Sequence, residues 1–247
     1  MKVSAEVKRQ TRVRLLEAAV DVITEKGFRS ASMREIAKRA DVGDATIYNY
    51  FPSKEKLLYG YCEYVQEQVI AELKSIDDFH EFTVREQLHQ VIELQLQMWL
   101  PAREYLKEVF EMTYASPVAG YERLQPTREL FNSVVVELLD AAIEAGEVPD
   151  QPYKELLPRL CWDYVSAILA YWLRDDSEQF ANTTQVVDQS VEIAFQLLKG
   201  GLIGKSLDLV SFLFRSHVLN NLDLLEGIGK SPDVVAAKRR FMGESNG

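Results

Sequence analysis

The chain has 247 residues, a hydrophobic content of 47% and a formal net charge of −10, a composition typical of a globular protein long enough to bury a sizeable core. The longest apolar run, residues 164–173, is too short to cross a bilayer, and the N-terminus lacks the apolar segment of a signal peptide. Cys62 and Cys161 lie far apart in the sequence, which favours free thiols in a reducing compartment. We therefore expect a cytoplasmic protein without membrane contact.

The charge is divided unevenly along the chain. Residues 1–60 contain 12 Lys and Arg against 8 Asp and Glu, a net charge of +4, whereas residues 61–247 contain 16 against 30, a net charge of −14. A positive N-terminal part attracts a polyanion and an acidic remainder is repelled by it, so the split suits an oriented approach to nucleic acid. Acidic helical surfaces are common, however, so the split indicates DNA binding only together with a motif.

Residues 5–26 are predicted to form an amphipathic helix that Gly27 terminates. Its apolar stripe consists of Leu15, Leu16, Ala18, Ala19, Val22 and Ile23. The basic residues of its first half are Lys8, Arg9, Arg12 and Arg14. Contact with phosphate and simple solvation on a helix face are equally good interpretations of this basic cluster.

Residues 32–58 have the pattern of two short helices followed by the start of a third. Ser32 and Glu35 have the spacing of a capping box, which satisfies free amides at a helix N-terminus. Asp41 begins a tight turn, because Asp is one of the few residues besides Gly that tolerates a left-handed backbone. The second helix turns Ile47 inward and leaves its other side chains outside. This arrangement is a helix-turn-helix, whose second helix enters the DNA major groove.

The remainder of the chain is predicted to be helical throughout. The expected helices are residues 53–76, 84–99, 102–114, 121–145, 153–174 and 184–199, with Pro101 interrupting the path between the second and third. The last two are apolar over most of their circumference and must be buried on two sides. A partner subunit on one side is the favoured interpretation, and a fully interior helix pair is the alternative. An apolar stripe over residues 207–225 predicts a further helix that packs across the body or the partner.

The N-terminal segment resembles the DNA-binding domain of the TetR (tetracycline-repressor-like) family of transcription regulators. The matching stretches are TRVRLLEAAVDVITEKGF, IAKRADV, TIYNYF and SKEKLL, in uninterrupted register over about residues 8–60. Asp41 stands where the family often has Gly, and Asp44 where it often has a basic or neutral polar residue, which leaves the bases read by this helix open.

The resemblance implies an all-α fold in three parts. Residues 1–58 would form a three-helix helix-turn-helix DNA-binding head, and residues 59–204 a helical body for ligand binding and dimerisation. Beyond them, where many relatives would stop, the apolar pattern of residues 205–247 predicts an additional C-terminal helical extension. Two heads related by a two-fold axis would then read a palindromic double-stranded DNA operator.

Sequence-specific binding needs phosphate contacts for register and base contacts for discrimination. The candidate DNA-binding residues are Arg34, Gly43, Asp44, Ala45, Thr46, Tyr48, Asn49, Tyr50 and Lys54. Arg34, Thr46, the two tyrosines and Lys54 have donors for phosphate, and the resemblance implies this role for several of them. Asn49 suits adenine, Asp44 can accept from cytosine N4, and Ala45 can touch a thymine methyl. Packing inside the head is the alternative role for Tyr48 and Tyr50.

The resemblance also implies a small-molecule effector and a homodimer. The candidate pocket residues are Trp99, Phe110, Tyr114 and Trp162, which favour an apolar or aromatic ligand near the break at Pro101. The candidate dimer-interface residues are Leu160, Tyr164, Ile168, Val187, Val191 and Leu198, on the helix pair that forms a four-helix bundle in this family. Neither a cofactor nor a metal is expected.

Together these features predict a ligand-responsive DNA-binding regulator, most simply a dimeric repressor that a small effector releases from its operator. One alternative is a helical ligand-binding or scaffolding protein that has lost DNA binding, which the acidic residues of the motif would favour. The other is an all-α enzyme, although no nucleophile elbow, phosphate loop or paired metal-type cysteines occur. Glu86, His89 and Glu93 share one helix face and are interpreted as a solvent-facing polar row.

Overall fold

The computed structural model describes residues 5–151, 153–201 and 205, and this part of the chain contains α-helices and no β-strand. The helices are α1 (Ala5–Lys26), α2 (Met33–Arg39), α3 (Asp44–Tyr50), α4 (Lys54–Ser75), α5 (Val84–Trp99), α6 (Arg103–Ala115), α7 (Pro117–Arg123), α8 (Gln125–Glu144), α9 (Leu157–Trp172) and α10 (Ala181–Lys199). The all-α prediction is confirmed. Within the described residues no helix is sufficiently long and apolar to span a membrane. The predicted extension over 205–247 lies outside them, except for Lys205.

The head consists of α1, α2, α3 and the first turn of α4. Its centre is formed by Leu16, Ile23, Ile36 and Ile47, which are fully buried and come from α1, α2 and α3. Gly60 of α4 lies against the aromatic ring that follows α3, since a Cβ atom there would come within 2.9 Å of a Phe51 ring carbon. The lack of a side chain at Gly60 thus makes room on α4 for the Phe51 ring.

The turn between α2 and α3 has the geometry that the sequence predicts. Asp41 adopts a left-handed backbone with φ of 54°, and the amide of Val42 donates to the carbonyl of Ala37 over 3.0 Å. Ser32 and Glu35 form the predicted capping box at the start of α2. These local interactions fix the angle at which α3 leaves α2.

Helix α4 runs from the head into the body and packs against α5 and α8. Leu57 and Leu58 are buried at its N-terminal end, whereas Val69 and Leu73 are buried in its C-terminal half. The core is therefore continuous from head to body, and α5 in turn packs against α10 while α8 packs against α9.

The single helix predicted over residues 121–145 is wrong, because the structure divides this region between α7 and α8. Leu124 lies between them with φ of −81° and ψ of 0°. Pro126 has no amide hydrogen to continue an incoming helix, but it suits the first turn of a new one. Gly120 lets α7 cross α6 closely, since a Cβ atom there would come within 2.7 Å of the Thr113 Cα.

Asp175 organises the turn between α9 and α10. Its carboxylate accepts hydrogen bonds from the amide of Thr183 at 2.8 Å and the amide of Ser177 at 3.0 Å, and from both hydroxyls. These donors lower the pKa of Asp175 from its usual value. Arg103 of α6 donates to the carbonyl of Trp172 over 2.9 Å, so this turn also anchors the start of α6.

We predict that Glu35→Gln makes the stability of the protein less dependent on pH at acidic pH. Hydrogen bonds from Lys26 and then Ser32 lower the pKa of Glu35 from 4.5 to about 2. A lowered pKa in the folded state means that the carboxylate stabilises the fold above pH 4.5 and loses this effect as the pH falls towards 2. Thermal unfolding followed by circular dichroism between pH 2.5 and 7 tests this. Glu122→Gln, at an exposed position of α7, is the control and should keep the wild-type profile.

Candidate nucleic-acid interface and inner cavity

The residues predicted to contact DNA form one surface, which we call the recognition face. It consists of Arg34 on α2 and Gly43, Asp44, Ala45, Thr46, Tyr48, Asn49 and Tyr50 on or beside α3. Ile47 is the fully buried residue of α3, and Asp44, Ala45, Tyr48 and Asn49 are exposed. Tyr48 is 54% exposed, whereas Tyr50 is partly buried and packs against the core. The structure thus gives Tyr50 a packing role and leaves Tyr48 accessible, and DNA contact by Tyr48 stays a prediction.

Arg34 and Asp44 form an ion pair on the recognition face. The Arg34 Nε lies 3.2 Å from an Asp44 carboxylate oxygen, and both side chains are largely exposed. An exposed pair of this kind contributes little to stability, so an approaching nucleic acid can separate it. Arg34 offsets the negative charge that Asp44 places at the start of the recognition helix. The sequence does not predict this pair, because the two residues lie on different helices whose relative position depends on the fold.

Lys54 departs from the expected role of phosphate donor. Its ammonium group donates to the carbonyls of Ala31 at 2.6 Å and Arg29 at 3.3 Å, and also to that of Phe28. It also lies 4.5 Å from the centre of the Phe28 ring. The side chain is drawn inward because these carbonyls follow α1 without helical partners of their own. Lys54 therefore ties the loop between α1 and α2 to α4.

Helix α6 contacts the head through polar groups that the sequence analysis missed. The Glu108 carboxylate accepts from the amide of Phe28 over 3.0 Å, and the buried Tyr105 hydroxyl donates to the carbonyl of Leu58 over 3.1 Å. The Tyr59 hydroxyl and Thr113 Oγ1 are 3.3 Å apart. Glu108 and Phe28 are 80 residues apart, so no local sequence signal marks their contact.

The body contains a cavity of about 270 Å³ that opens to the surface near Tyr114 and Tyr121, which we call the inner cavity. Its wall includes all four predicted pocket residues, Trp99, Phe110, Tyr114 and Trp162, together with Cys62, Gln66, Gln95, Leu106, Val109, Thr113, Pro117, Tyr121, Leu124, Thr127, Asp163, Val165, Ser166 and Leu169. Helix α6 thus lines the cavity with one face while its other polar groups hold the head. Burial raises the pKa of the Cys62 thiol to about 12, so this sulfur is neutral at physiological pH.

A second cavity, of about 260 Å³, lies between α5, α8, α9 and α10. Its wall is almost wholly apolar and includes Val84, Leu88, Phe131, Leu139, Leu160 and Leu198. Phe131 forms an edge-to-face contact with Trp162 of the inner cavity, with ring centres 5.6 Å apart. The two cavities are therefore neighbours separated by aromatic side chains.

The predicted dimer-interface residues fall into two groups. Ile168, Val187, Val191 and Leu198 are buried within the protomer, so their side chains belong to its own core and the expectation that they face outward is corrected. Helical periodicity identified two apolar sides but did not show which one faces the rest of the chain. Tyr164 is partly buried and its hydroxyl lies 2.6 Å from Ser190 Oγ. Leu160 is 48% exposed.

The polar row on α5 makes local structural contacts. Glu86 completes a capping box with Thr83 at the start of the helix. His89 Nε2 lies 2.8 Å from a carboxylate oxygen of Asp188 on α10. Arg85 approaches Glu192 of the same helix at 3.8 Å. This row joins α5 to α10.

A helix-turn-helix with an exposed second helix, carried on a helical body around an apolar cavity, defines the class of helical DNA-binding regulators with a ligand-binding domain. Family models match both parts of the chain. Residues 15–59 match "Bacterial regulatory proteins, tetR family", and residues 87–213 match "Tetracyclin repressor-like, C-terminal domain". The chain belongs to the TetR family of bacterial transcriptional regulators.

Individual relatives agree with this assignment. The Fatty acid metabolism regulator protein of Bacillus subtilis is 25% identical over 174 residues, covering 69% of this chain and 88% of that protein. The solved structure of Salmonella enterica GusR covers 77% of this chain and 96% of its own, with a TM-score of 0.61 and 23% identity. FadR from Bacillus subtilis, solved in complex with stearoyl-CoA, covers 76% and 98%, with a TM-score of 0.57 and 23% identity. Both structures share the fold.

We predict that Tyr48 contributes to DNA binding, whereas Lys54 contributes to the stability of the fold. Tyr48→Phe and Tyr48→Ala should weaken binding to DNA selected from a random pool by roughly tenfold, because hydrogen bonds to charged groups contribute about 1.5–3 kcal/mol. Both variants should keep the wild-type melting temperature. Lys54→Met should instead lower the free energy of unfolding by about 1–3 kcal/mol, because it leaves the carbonyls beyond α1 unpaired.

Fluorescence anisotropy with labelled DNA and thermal unfolding distinguish the two effects. Wild-type stability in Lys54→Met with a loss of DNA affinity would restore the phosphate role of Lys54. Wild-type affinity in both Tyr48 variants would remove Tyr48 from the interface.

Proposed function

We propose that this regulator is a dimeric repressor that a small, mainly apolar or aromatic effector releases from a palindromic operator. The observation that carries the proposal is the position of α6. This helix lines the inner cavity through Leu106 and Phe110 and holds the head through Glu108. The position of α6 therefore depends both on what occupies the cavity and on the loop between α1 and α2.

The mechanism follows from this position. An effector that prefers a displaced α6 changes the hydrogen bond between Glu108 and Phe28 and with it the orientation of the head. In a dimer, two half-sites lie about 34–36 Å apart or at a multiple of that distance, so reorientation of both heads takes them out of register with DNA. Coupling of this kind typically changes affinity by about 5–150-fold.

The surface of α9 and α10 supports dimerisation. Leu160, Tyr171, Ile193 and Leu197 are exposed apolar side chains on this helix pair, and we call them the outer face. Ile193 is 60% exposed, which is unusual for an isoleucine on a helix with a well-defined core side. We propose that the outer face meets its two-fold mate, because the same patch then buries itself on both subunits.

The stearoyl-CoA of the FadR structure is not a suitable guide to the whole ligand of the inner cavity. The phosphates of stearoyl-CoA require positive charge, and the described wall of the inner cavity contains no Lys, Arg or His. Lys107 and Arg174 border an adjoining outer cleft, whose wall shares Phe110 and Tyr114 with the inner cavity. We therefore propose the apolar body of an effector, rather than an anionic group, as the occupant of the inner cavity.

Selection of bound DNA from a random pool, followed by affinity measurements across a salt series, tests the proposed function. A palindrome bound with a steep salt dependence is the expected result, because phosphate contacts release counterions. Compounds are then screened for release of this DNA. Failure to enrich any sequence, with DNA from the protein's own promoter included, would support the ligand-binding alternative.

We predict that Ile193→Asp disrupts the dimer. A carboxylate at the centre of an apolar self-contact is desolvated without a partner, so the dissociation constant should rise at least tenfold. Operator affinity should fall with it, because one head then binds alone. Sedimentation velocity over a concentration series measures the assembly. Val118→Asp, at an exposed position on α7, is the matched control, and an equal effect of both substitutions would argue against the outer face.

We predict that Glu108→Ala uncouples α6 from the head. The Phe28 amide should lose its protection against hydrogen exchange, and operator affinity should fall by roughly tenfold, within the range of typical coupling energies. Glu108→Gln retains an acceptor oxygen and should restore most of both properties. Glu111→Ala, an exposed glutamate on the same helix, is the control. Operator affinity unchanged in Glu108→Ala would show that this contact does not orient the head.

A further inference from the structure

We propose that Gln66 and Gln95 are the recognition group of the inner cavity, and that its effector carries a neutral group that both donates and accepts a hydrogen bond. An alcohol or an amide has this property. The inference rests on the proposed function, in which the inner cavity holds the effector, and it adds the chemical class that the cavity selects.

The two glutamines form a pair inside the body. Gln66 of α4 is 3% exposed and Gln95 of α5 is 4% exposed, and the two side chains are joined by a hydrogen bond of 2.6 Å between Nε2 of Gln95 and Oε1 of Gln66. Glutamine is rarely buried to this extent unless its polar groups are paired. Both side chains line the inner cavity beside Trp99 and Cys62.

The hydrogen bond between the amides leaves one nitrogen and one oxygen of the pair unused. In the structure, Nε2 of Gln66 and Oε1 of Gln95 have no hydrogen-bond partner among the described residues. If both amides were turned over, the free groups would exchange places, and one donor and one acceptor would still remain. The pair therefore presents one NH2 group and one C=O group to the cavity in either orientation.

A hydroxyl group in the cavity satisfies both of these groups. Its oxygen accepts from the free N–H, and its hydrogen is donated to the free C=O. An occupant made only of hydrocarbon excludes water and leaves both groups unpaired, which is costly in an apolar surrounding. An ether oxygen accepts one hydrogen bond but cannot donate the other. The pair thus discriminates between molecules of equal size and similar polarity.

The charges of the wall exclude an anionic partner for this pair. Of the residues that line the inner cavity, Asp163 has the single ionisable carboxylate and none has a cationic side chain. A carboxylate or phosphate placed against the glutamines would be desolvated without a counterion, and Asp163 would repel it further. The polar group that the pair selects is therefore neutral.

Three small probes test the inference. 1-Nonanol and 1-methoxyoctane are isomers that differ in whether the oxygen can donate a hydrogen bond, and nonanoate carries a charge instead. We expect the wild-type protein to bind 1-nonanol roughly tenfold more tightly than 1-methoxyoctane, the effect of about one hydrogen bond. Nonanoate should bind more weakly than either. Calorimetry measures the affinities, and the fluorescence of Trp99 and Trp162, which line the cavity, reports occupancy.

Variants of the two glutamines test whether this pair is the source of the discrimination between the isomers. Replacing both glutamines, as Gln66→Leu together with Gln95→Leu, should retain binding of 1-methoxyoctane and bring the ratio between the isomers close to one. Gln95→Met is a second variant that changes a single side chain and should reduce the same ratio. Gln87→Leu is the matched control, because Gln87 is buried on the same helix but donates to the carbonyl of Phe79 and does not line the inner cavity.

The outcomes separate this inference from the proposed function. Equal wild-type affinity for the two isomers, no binding of either, or a ratio unchanged in the double and single variants would overturn it. If the protein binds its selected DNA but neither neutral probe, the assignment of the pair fails and the DNA-binding regulator stands. If 1-nonanol binds selectively through the pair but leaves DNA affinity unchanged, the recognition group stands and effector control through this cavity fails.

Discussion

The buried hydroxyl of Tyr105 donates to the carbonyl of Leu58, and this contact fixes α6 across α4 where head and body meet. Burial raises the pKa of this hydroxyl well above its usual value, so it remains a donor at physiological pH. Around it, α6 contacts the head on one side and lines the inner cavity on the other. In the proposed mechanism, control of DNA binding by an effector depends on this shared element, since a displacement of α6 alters both the cavity and its contacts with the head.

Local sequence signals predicted most of the fold and the recognition face. The capping box at Ser32, the left-handed Asp41 and the inward Ile47 each depend on residues a few positions away, so their patterns are visible in the sequence. The same holds for the aromatic residues of the inner cavity, whose helices were placed correctly on either side of Pro101. The break at Leu124 was missed because the apolar spacing continues across it.

The features that the sequence did not predict depend on contacts between residues far apart in the chain, or on the direction in which a side chain points. The pairing of Arg34 with Asp44, the inward turn of Lys54 and the capture of the Phe28 amide by Glu108 all join elements whose relative position only the fold defines. Apolar periodicity predicted two apolar sides on α9 and α10, but not that Ile168 and Val191 face inward while Ile193 faces outward. Side-chain direction on such helices is set by their neighbours rather than by their own sequence.

The close crossing of α6 and α7 at Gly120 has a consequence for how this regulator can change over time. There a Cβ atom on Gly120 would meet the Cα, the carbonyl oxygen and the Cγ2 of Thr113, so the lack of a side chain at Gly120 sets the separation of the two helices and with it the position of this wall of the inner cavity. Residues that line the cavity, such as Phe110 and Tyr121, can therefore be exchanged without moving the wall that carries them. New ligand preferences can arise by mutation of the lining, while the path from cavity to head is inherited unchanged.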